Sequence, residues 1–127
     1  MQGQQLFEYA VIRIMPRVER EEFMNVGVVL YCPPRKFLQA KFILEKNRVT
    51  SFSSEIDIDE ICGYLTAFER ICAGAKDGGP IAKLSIPERF RWLTATRSTV
   101  VQTSKVHPGF CTDPVEMLER LYAQMVL

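Results

Sequence analysis

The chain has 127 residues, of which 47% are hydrophobic and 24% are charged, and its formal net charge at pH 7 is +1. This length is near the commonest for one domain, so we expect a single domain over residues 1–127, and the apolar fraction excludes a disordered chain. The near-neutral charge argues against a dedicated nucleic-acid binder, which usually carries a strong basic excess.

The composition also indicates where the protein works. Its first residues lack the basic start and apolar core of a signal peptide. No apolar run approaches the roughly 20 residues that a membrane span needs. We therefore predict a cytoplasmic protein without a membrane segment.

The cysteines argue against a metal site. They stand at positions 32, 62, 72 and 111, so no two are close enough in sequence to form the ligand pair typical of zinc sites. In a reducing compartment they are expected to be buried thiols that behave as small hydrophobic side chains. No metal and no cofactor is predicted.

The first half of the chain is typical of β-strands. Residues 6–15 are dense in β-favouring side chains and end before Pro16, and residues 26–31 form a short apolar run. In residues 38–44 the pattern alternates, which predicts a strand with Gln39 and Lys41 facing water. Its inward-facing side chains would be Leu38, Ala40, Phe42 and Leu44.

The second half is mostly helical in pattern. Asp57 and Glu60 predict a capped helix start, and Gly74 predicts the end of that helix. Its apolar stripe contains Ile58, Ile61, Cys62, Leu65, Phe68 and Cys72.

A second capping box, formed by Ser85 and Glu88, opens a short helix, and Asp113 with Pro114 opens the last one. The apolar stripe of the last helix is Met117, Leu118, Leu121, Tyr122 and Met125. Residues 98–103 are rich in β-favouring side chains and predict a fourth strand. The order β-β-β-α-α-β-α predicts an α+β fold, with an antiparallel sheet of three to four strands covered by helices on one face.

The first candidate polar cluster spans the turn between the first two strands. It contains Arg13, Arg17, Arg20 and Asn25, interspersed with Glu19, Glu21 and Glu22. Such arginines can hold a phosphate or carboxylate, or they can form surface ion pairs with the glutamates. Arg13 differs because it lies in an apolar strand, where its charge requires a partner or a ligand. Asn25 either faces that ligand or marks a β-bulge next to Gly27.

The second candidate cluster follows the short helix, and its members are Arg97, Ser98, Gln102 and His107. Ser98 and Gln102 share one face of the predicted strand. Nearby basic residues and aromatic rings allow single-stranded nucleic-acid binding, but we favour the interpretation that the aromatic rings are core and the basic residues are solvated. His107 and Cys111 could form a nucleophilic dyad, but no third group orients them, so no catalytic residue is predicted.

Two stretches resemble a known family. Residues 9–29 (YAVIRIMPRVEREEFMNVGVV) and residues 89–98 (RFRWLTATRS), followed by Gln102, Ser104, His107 and Asp113-Pro114, are similar to the bacterial family called domain of unknown function 3037. The resemblance implies no established activity. Genes of the family often lie beside genes for HipA-like kinases, which implies a role as partner or regulator. The motif's polar residues are Arg13, Arg20, Asn25, Arg97, Ser98, Gln102 and His107.

We therefore expect a non-catalytic interaction or regulatory module with a protein partner, such as a HipA-like kinase, and a homo-oligomer is a further option. The alternative is a domain, enzymatic or not, that binds an anion, a nucleotide or nucleic acid in a pocket with Arg13, Arg97 and His107. If the first and fourth strands are neighbours in the sheet, the polar residues of the two clusters can converge on one pocket.

Overall fold

An antiparallel sheet forms the framework of the fold. The computed structural model describes residues 3–95 and 99–127, apart from the side chain of Val18, and these residues form five strands. They are β1 (Gln5–Ile14), β2 (Met24–Cys32), β3 (Phe37–Phe42), β4 (Val101–Thr103) and β5 (His107–Cys111). The order is β3-β2-β1, and β4 and β5 lie end to end along the other edge of β1, where each pairs with a different part of that strand. The predicted α+β class and the antiparallel sheet are confirmed, and β1 and β4, on which the meeting of the two polar clusters depends, are neighbours.

The helices begin and end largely where capping residues predict. They are α1 (Lys46–Phe52), α2 (Ile58–Ala73), α3 (Ile86–Thr94) and α4 (Pro114–Met125). Asp57 and Asp113 accept backbone N–H groups at the starts of α2 and α4, and Ser85 forms its capping box at the start of α3. Gly74 ends α2 in the left-handed conformation with φ of 65°.

The two faces of the sheet have separate apolar cores. Alternation along β1 sends Ala10, Ile12 and Ile14 to one face, where they pack with buried residues of α1, α2 and α3. Phe7 points to the other face and packs in a second cluster with apolar residues of α4. The α4 helix thus adds a layer opposite the other three helices, and it packs on β2 and β3.

A β-bulge shifts the register between β1 and β2. Ile12 pairs with Gly27 but Arg13 pairs with Asn25, so Val26 is the extra residue. Gly27 also lies very close to the backbone of the paired strand β3, because a Cβ at this position would be 2.6 Å from the Lys41 carbonyl oxygen. The bulge and the close backbone approach predicted for this segment are both confirmed.

Strands β4 and β5 act as one interrupted edge strand. Between them, Ser104 donates its N–H to the Val11 carbonyl, and its Oγ accepts the Val11 N–H at 2.8 Å. The sequence analysis does not predict β5, because Pro108 and Gly109 are typical of turns. An edge strand tolerates both residues, and Gly109 leaves room for the Phe7 ring, 2.6 Å from the position of a Cβ.

Other expectations need correction. Cys62 was predicted to be a buried member of the apolar stripe, but it is exposed because it lies to one side of the buried positions of α2. The other three cysteines are buried, and burial raises the pKa of Cys72 to about 12. Lys41 was expected to face water, yet it is half-buried and pairs with Glu119, because α4 covers that side of β3.

Helix α1 was not predicted, because its polar sequence carries a single buried side chain, that of Val49. In the part of the chain that the structure describes, no helix combines the length and the apolar character needed to cross a bilayer.

Candidate functional site

Three of the predicted site residues form a row across three neighbouring strands. Arg13 on β1 pairs with Asn25 on β2 at one side and with Gln102 on β4 at the other. Side chains of directly opposed residues point to the same face of a sheet, with Cβ atoms about 5 Å apart. Arg13, Asn25 and Gln102 therefore form one continuous polar row, which joins the two clusters that the sequence analysis found separately.

The polar row lies at the border of the area that α4 covers. Asn25 contacts the end of α4, since its Nδ2 donates to the Met125 carbonyl at 3.1 Å. Beyond Asn25, the same face of β1, β4 and β5 carries Tyr9, Arg13, Gln102 and His107. Phe23 joins them, because it is two residues before Asn25 and contacts Arg13. We call these five residues the open half-face, since all five are half-buried or exposed.

Arg13 carries its charge there without a counter-charge. Among the described residues it has no ion pair and no hydrogen bond, and its Nε is buried without a partner. Its two terminal nitrogens are not buried, so they reach solvent. The guanidinium carbon lies 3.8 Å from the centre of the Phe23 ring, a contact worth about 0.5–1 kcal/mol at an exposed site. Burial lowers the pKa of Arg13, and no carboxylate offsets this effect.

The C-terminal end of α4 borders the polar row, and its partial negative charge is favourable for the Arg13 guanidinium. The negative end of a helix dipole lies at its C-terminus, and the Met125 carbonyl bound by Asn25 belongs to that end. Arg48 adds a second contact, with both terminal nitrogens 3.5 Å from the Val126 carbonyl. The Oδ1 atom of Asn25 is buried without a partner. Asn25 thus anchors α4 beside the row, while its acceptor oxygen is buried beside Arg13 without a hydrogen bond from a described residue.

Gln102 completes the row on the edge strand. Its Nε2 donates to the Thr99 carbonyl at 2.7 Å, so the amide is bound to the segment that leads into β4. This contact fixes the orientation of the side chain beside Arg13.

His107 shares the open half-face but lies away from the row. It pairs with Tyr9 on β1, and the two rings are 5.4 Å apart. Tyr9 and Arg13 are four residues apart, a separation of roughly 13 Å along a strand. One small ligand therefore does not reach both Arg13 and His107 in a confined pocket. Arg97 and Ser98 lie outside the described residues, so a pocket that includes them stays a prediction.

His107 and Cys111 do not form a dyad. They are four residues apart on β5, which again corresponds to roughly 13 Å, and His107 is exposed whereas Cys111 is buried. Burial also raises the pKa of the Cys111 thiol, which disfavours a nucleophilic thiolate.

Arg17 and Arg20 lie on the turn before β2 and are engaged in exposed ion pairs. Arg17 donates to both carboxylate oxygens of Glu55, at 2.6 and 3.0 Å, and Arg20 contacts Glu22 at 2.8 Å. The Arg17 guanidinium holds the pKa of Glu55 below its ordinary value, through a hydrogen bond and charge attraction. For these two arginines the surface ion-pair interpretation fits the structure.

The sequence analysis did not single out Tyr9 or Phe23 as site residues. The available signal was the strand period, because Tyr9 has the same parity as Arg13 and Phe23 the same as Asn25. What the sequence does not reveal is that α4 leaves the Phe23 ring exposed and the Tyr9 ring only half-buried.

The opposite side of the sheet carries an apolar groove. It has a volume of about 160 Å³ and lies between α2, α3 and β4, with Tyr64, Phe68, Trp92 and Val101 in its wall. Its lining offers little for acid–base chemistry. The described residues also contain no group of three or more His, Cys, Asp and Glu side chains that could hold a metal ion. The chemistry available at the open half-face is recognition by one cation, amides and aromatic rings.

Comparison with known proteins identifies a family whose function is unknown. The family model described as "Protein of unknown function (DUF3037)" matches residues 9–126. No curated protein matches the chain, and no solved structure matches it.

Proposed function

Because this chain belongs to the DUF3037 family of proteins of unknown function, we propose from its geometry that it is a non-catalytic interaction module. It binds a protein partner through the open half-face. The observation that carries the proposal is the incomplete cover of this face, since α4 packs on β2 and β3. Beyond α4, Arg13 stacks on the exposed Phe23 ring and has no ion pair or hydrogen bond to a described residue.

The composition of the open half-face supports binding rather than catalysis. Aromatic residues and arginine are enriched in protein interfaces, and they account for much of the binding energy there. Phe23 keeps 42% of its surface exposed although it stacks on Arg13. A partner that covers this ring removes apolar surface from water and strengthens its contact with the guanidinium.

The partner expected from the family resemblance is a HipA-like kinase, and in this proposal the two proteins meet in the cytoplasm. The face is rigid because β1, its central strand, is paired on both sides. A rigid face loses little conformational entropy on binding, which suits a module that docks onto a folded kinase.

Binding of the purified kinase to variants at the two ends of the face tests the proposal. We expect Phe23→Ser and His107→Ser each to weaken the complex about tenfold, measured by calorimetry. Phe52→Ser is the matched control, because Phe52 is 37% exposed but lies on α1, which packs on the opposite face. An equal loss with Phe52→Ser, or unchanged affinity in both test variants, would contradict the proposed surface.

A second candidate function is the binding of a small anion or nucleotide, and the absence of a carboxylate at Arg13 among the described residues favours it. The separation of Arg13 from His107 weighs against a single pocket for both. Thermal stabilisation by ADP or inorganic phosphate that Arg13→Gln abolishes would support this function. The absence of stabilisation by both compounds, or stabilisation that Arg13→Gln leaves unchanged, would contradict it.

A further inference from the structure

Resting on the proposed function, we infer that Arg13 is the receptor for a single carboxylate of the partner, supplied by an Asp or Glu side chain in an extended segment. The carboxylate binds end-on to the two terminal nitrogens. Phe23 supports one face of the guanidinium plane during this contact.

Arg13 differs from the other described arginines because it is half-buried and has neither an ion pair nor a hydrogen bond to a described residue. Arg17, Arg20, Arg70 and Arg120 are exposed, and each has a carboxylate of this chain within 3.4 Å. These side chains need a partner least, because water solvates them. Arg89 is more buried than Arg13 and also lacks a carboxylate, but it donates to the Ile71 and Cys72 carbonyls. A partly buried charge gains most from a counter-ion. The lack of one for Arg13 among the described residues therefore indicates a carboxylate that comes from outside the chain.

The geometry defines how the carboxylate approaches. The side-on mode uses Nε and one terminal nitrogen, but Nε is buried and beyond the reach of a ligand. The end-on mode uses the two terminal nitrogens, which reach solvent. Stacking on Phe23 and placement on the central strand fix the guanidinium before binding, so little side-chain entropy is lost. A preorganised fork of two donors matches the two oxygens of a carboxylate.

Charge balance favours a carboxylate over a phosphate. The polar row holds one cation, and its cross-strand neighbour Asn25 contributes a buried acceptor oxygen, which repels additional negative charge. The nearest helix end is the C-terminus of α4, whose dipole also disfavours anions of higher charge. One monoanionic group therefore matches the site, whereas a dianionic phosphate lacks the further donors that it normally requires.

Peptide binding followed by NMR tests the inference directly. The probe is an N-acetylated, C-amidated octapeptide of alternating Thr and Glu, and the Nε–H signal of Arg13 is recorded during titration. A peptide with Gln in place of Glu is the neutral control. Arg13→Gln is expected to weaken binding of the Glu peptide about tenfold or more, and Arg13→Lys by less. Arg17→Gln removes the same charge from an arginine that already has Glu55, and it is expected to change the affinity by no more than about twofold.

The outcomes separate this inference from the proposed function. Binding of the Glu peptide that Arg13→Gln weakens and Arg17→Gln does not supports the carboxylate receptor. Equal binding of the Gln peptide, equal loss in both variants, or tighter binding of inorganic phosphate overturns it. If kinase binding depends on Phe23 and His107 but is unchanged in Arg13→Gln, the surface is correct and the carboxylate receptor is wrong. If the Glu peptide binds at Arg13 but the kinase does not depend on the face, the proposed function fails and the receptor stands.

Discussion

Replacing Arg13 with methionine is expected to stabilise the fold while it weakens binding. The guanidinium contributes one stacking contact with Phe23 and no hydrogen bond to a described residue, and its Nε is buried without a partner. Methionine is similarly long and unbranched, so it can retain the apolar contact with the ring, and its sulfur also interacts favourably with aromatic side chains. The substitution therefore removes an unsatisfied donor and a poorly solvated charge without creating a cavity.

The magnitude follows from these terms. An unsatisfied buried donor costs about 1–3 kcal/mol, and the stacking lost at a partly exposed site is worth about 0.5–1 kcal/mol. Because the terminal nitrogens of Arg13 remain solvated, the lower part of the first range applies. The net gain for Arg13→Met is about 0.5 kcal/mol, which corresponds to a rise in Tm of about 2 °C for a chain of this length.

Urea denaturation at constant pH measures this gain, with the m-value checked for two-state behaviour. Arg17→Met is the control, because it removes an exposed ion pair with Glu55 and is expected to leave stability nearly unchanged. A loss of about 1 kcal/mol or more in Arg13→Met would refute the reasoning, since it would mean that the guanidinium has satisfied structural partners in the folded chain.

Three further changes test other features. Gly27→Ala places a Cβ 2.6 Å from the Lys41 carbonyl oxygen and is expected to cost about 2–3 kcal/mol in urea denaturation. Arg17 lowers the pKa of Glu55, so the stability from this pair is complete above the unfolded pKa of Glu55 and is lost as pH falls through its lowered folded pKa. NMR titration should show that Arg17→Gln raises the pKa of Glu55. Brief maleimide treatment of the native protein should modify Cys62 alone, and mass spectrometry of Cys62→Ser should then show no adduct.

Much of the fold is predictable because local chemistry sets it. Asp57, Ser85 and Asp113 satisfy backbone donors at helix starts, and these interactions involve residues two or three positions away. The alternation in β3 and the apolar run in β2 likewise reflect neighbours along the chain. Strand β5 depends instead on a distant partner, because Gly109 leaves the space that the Phe7 ring of β1 occupies. Local pattern alone therefore assigns this segment to a turn.

The site was predictable in its residues but not in its arrangement. Arg13 is recognisable because a charge interrupts an apolar strand, and Asn25 because it precedes Gly27 at the bulge. Their contact with Gln102 depends on the pairing of β1 with β4 across almost ninety positions of sequence. Tertiary packing also decides that Arg17 finds Glu55 rather than the adjacent glutamates. Such long-range choices do not follow from periodicity or spacing.

The position of Arg13 depends on three features that act together. Alternation along β1 turns Arg13 toward the face that α4 occupies, the bulge in β2 places Asn25 opposite it, and Asn25 binds the Met125 carbonyl at the end of α4. Because α4 ends there, Arg13 is close enough to the helix to be partly buried and far enough to reach solvent. A sequence selected for stability alone would place an apolar residue at this position, as its neighbours in β1 do. The cost of the unpaired guanidinium is therefore most simply explained by a contact made outside the chain.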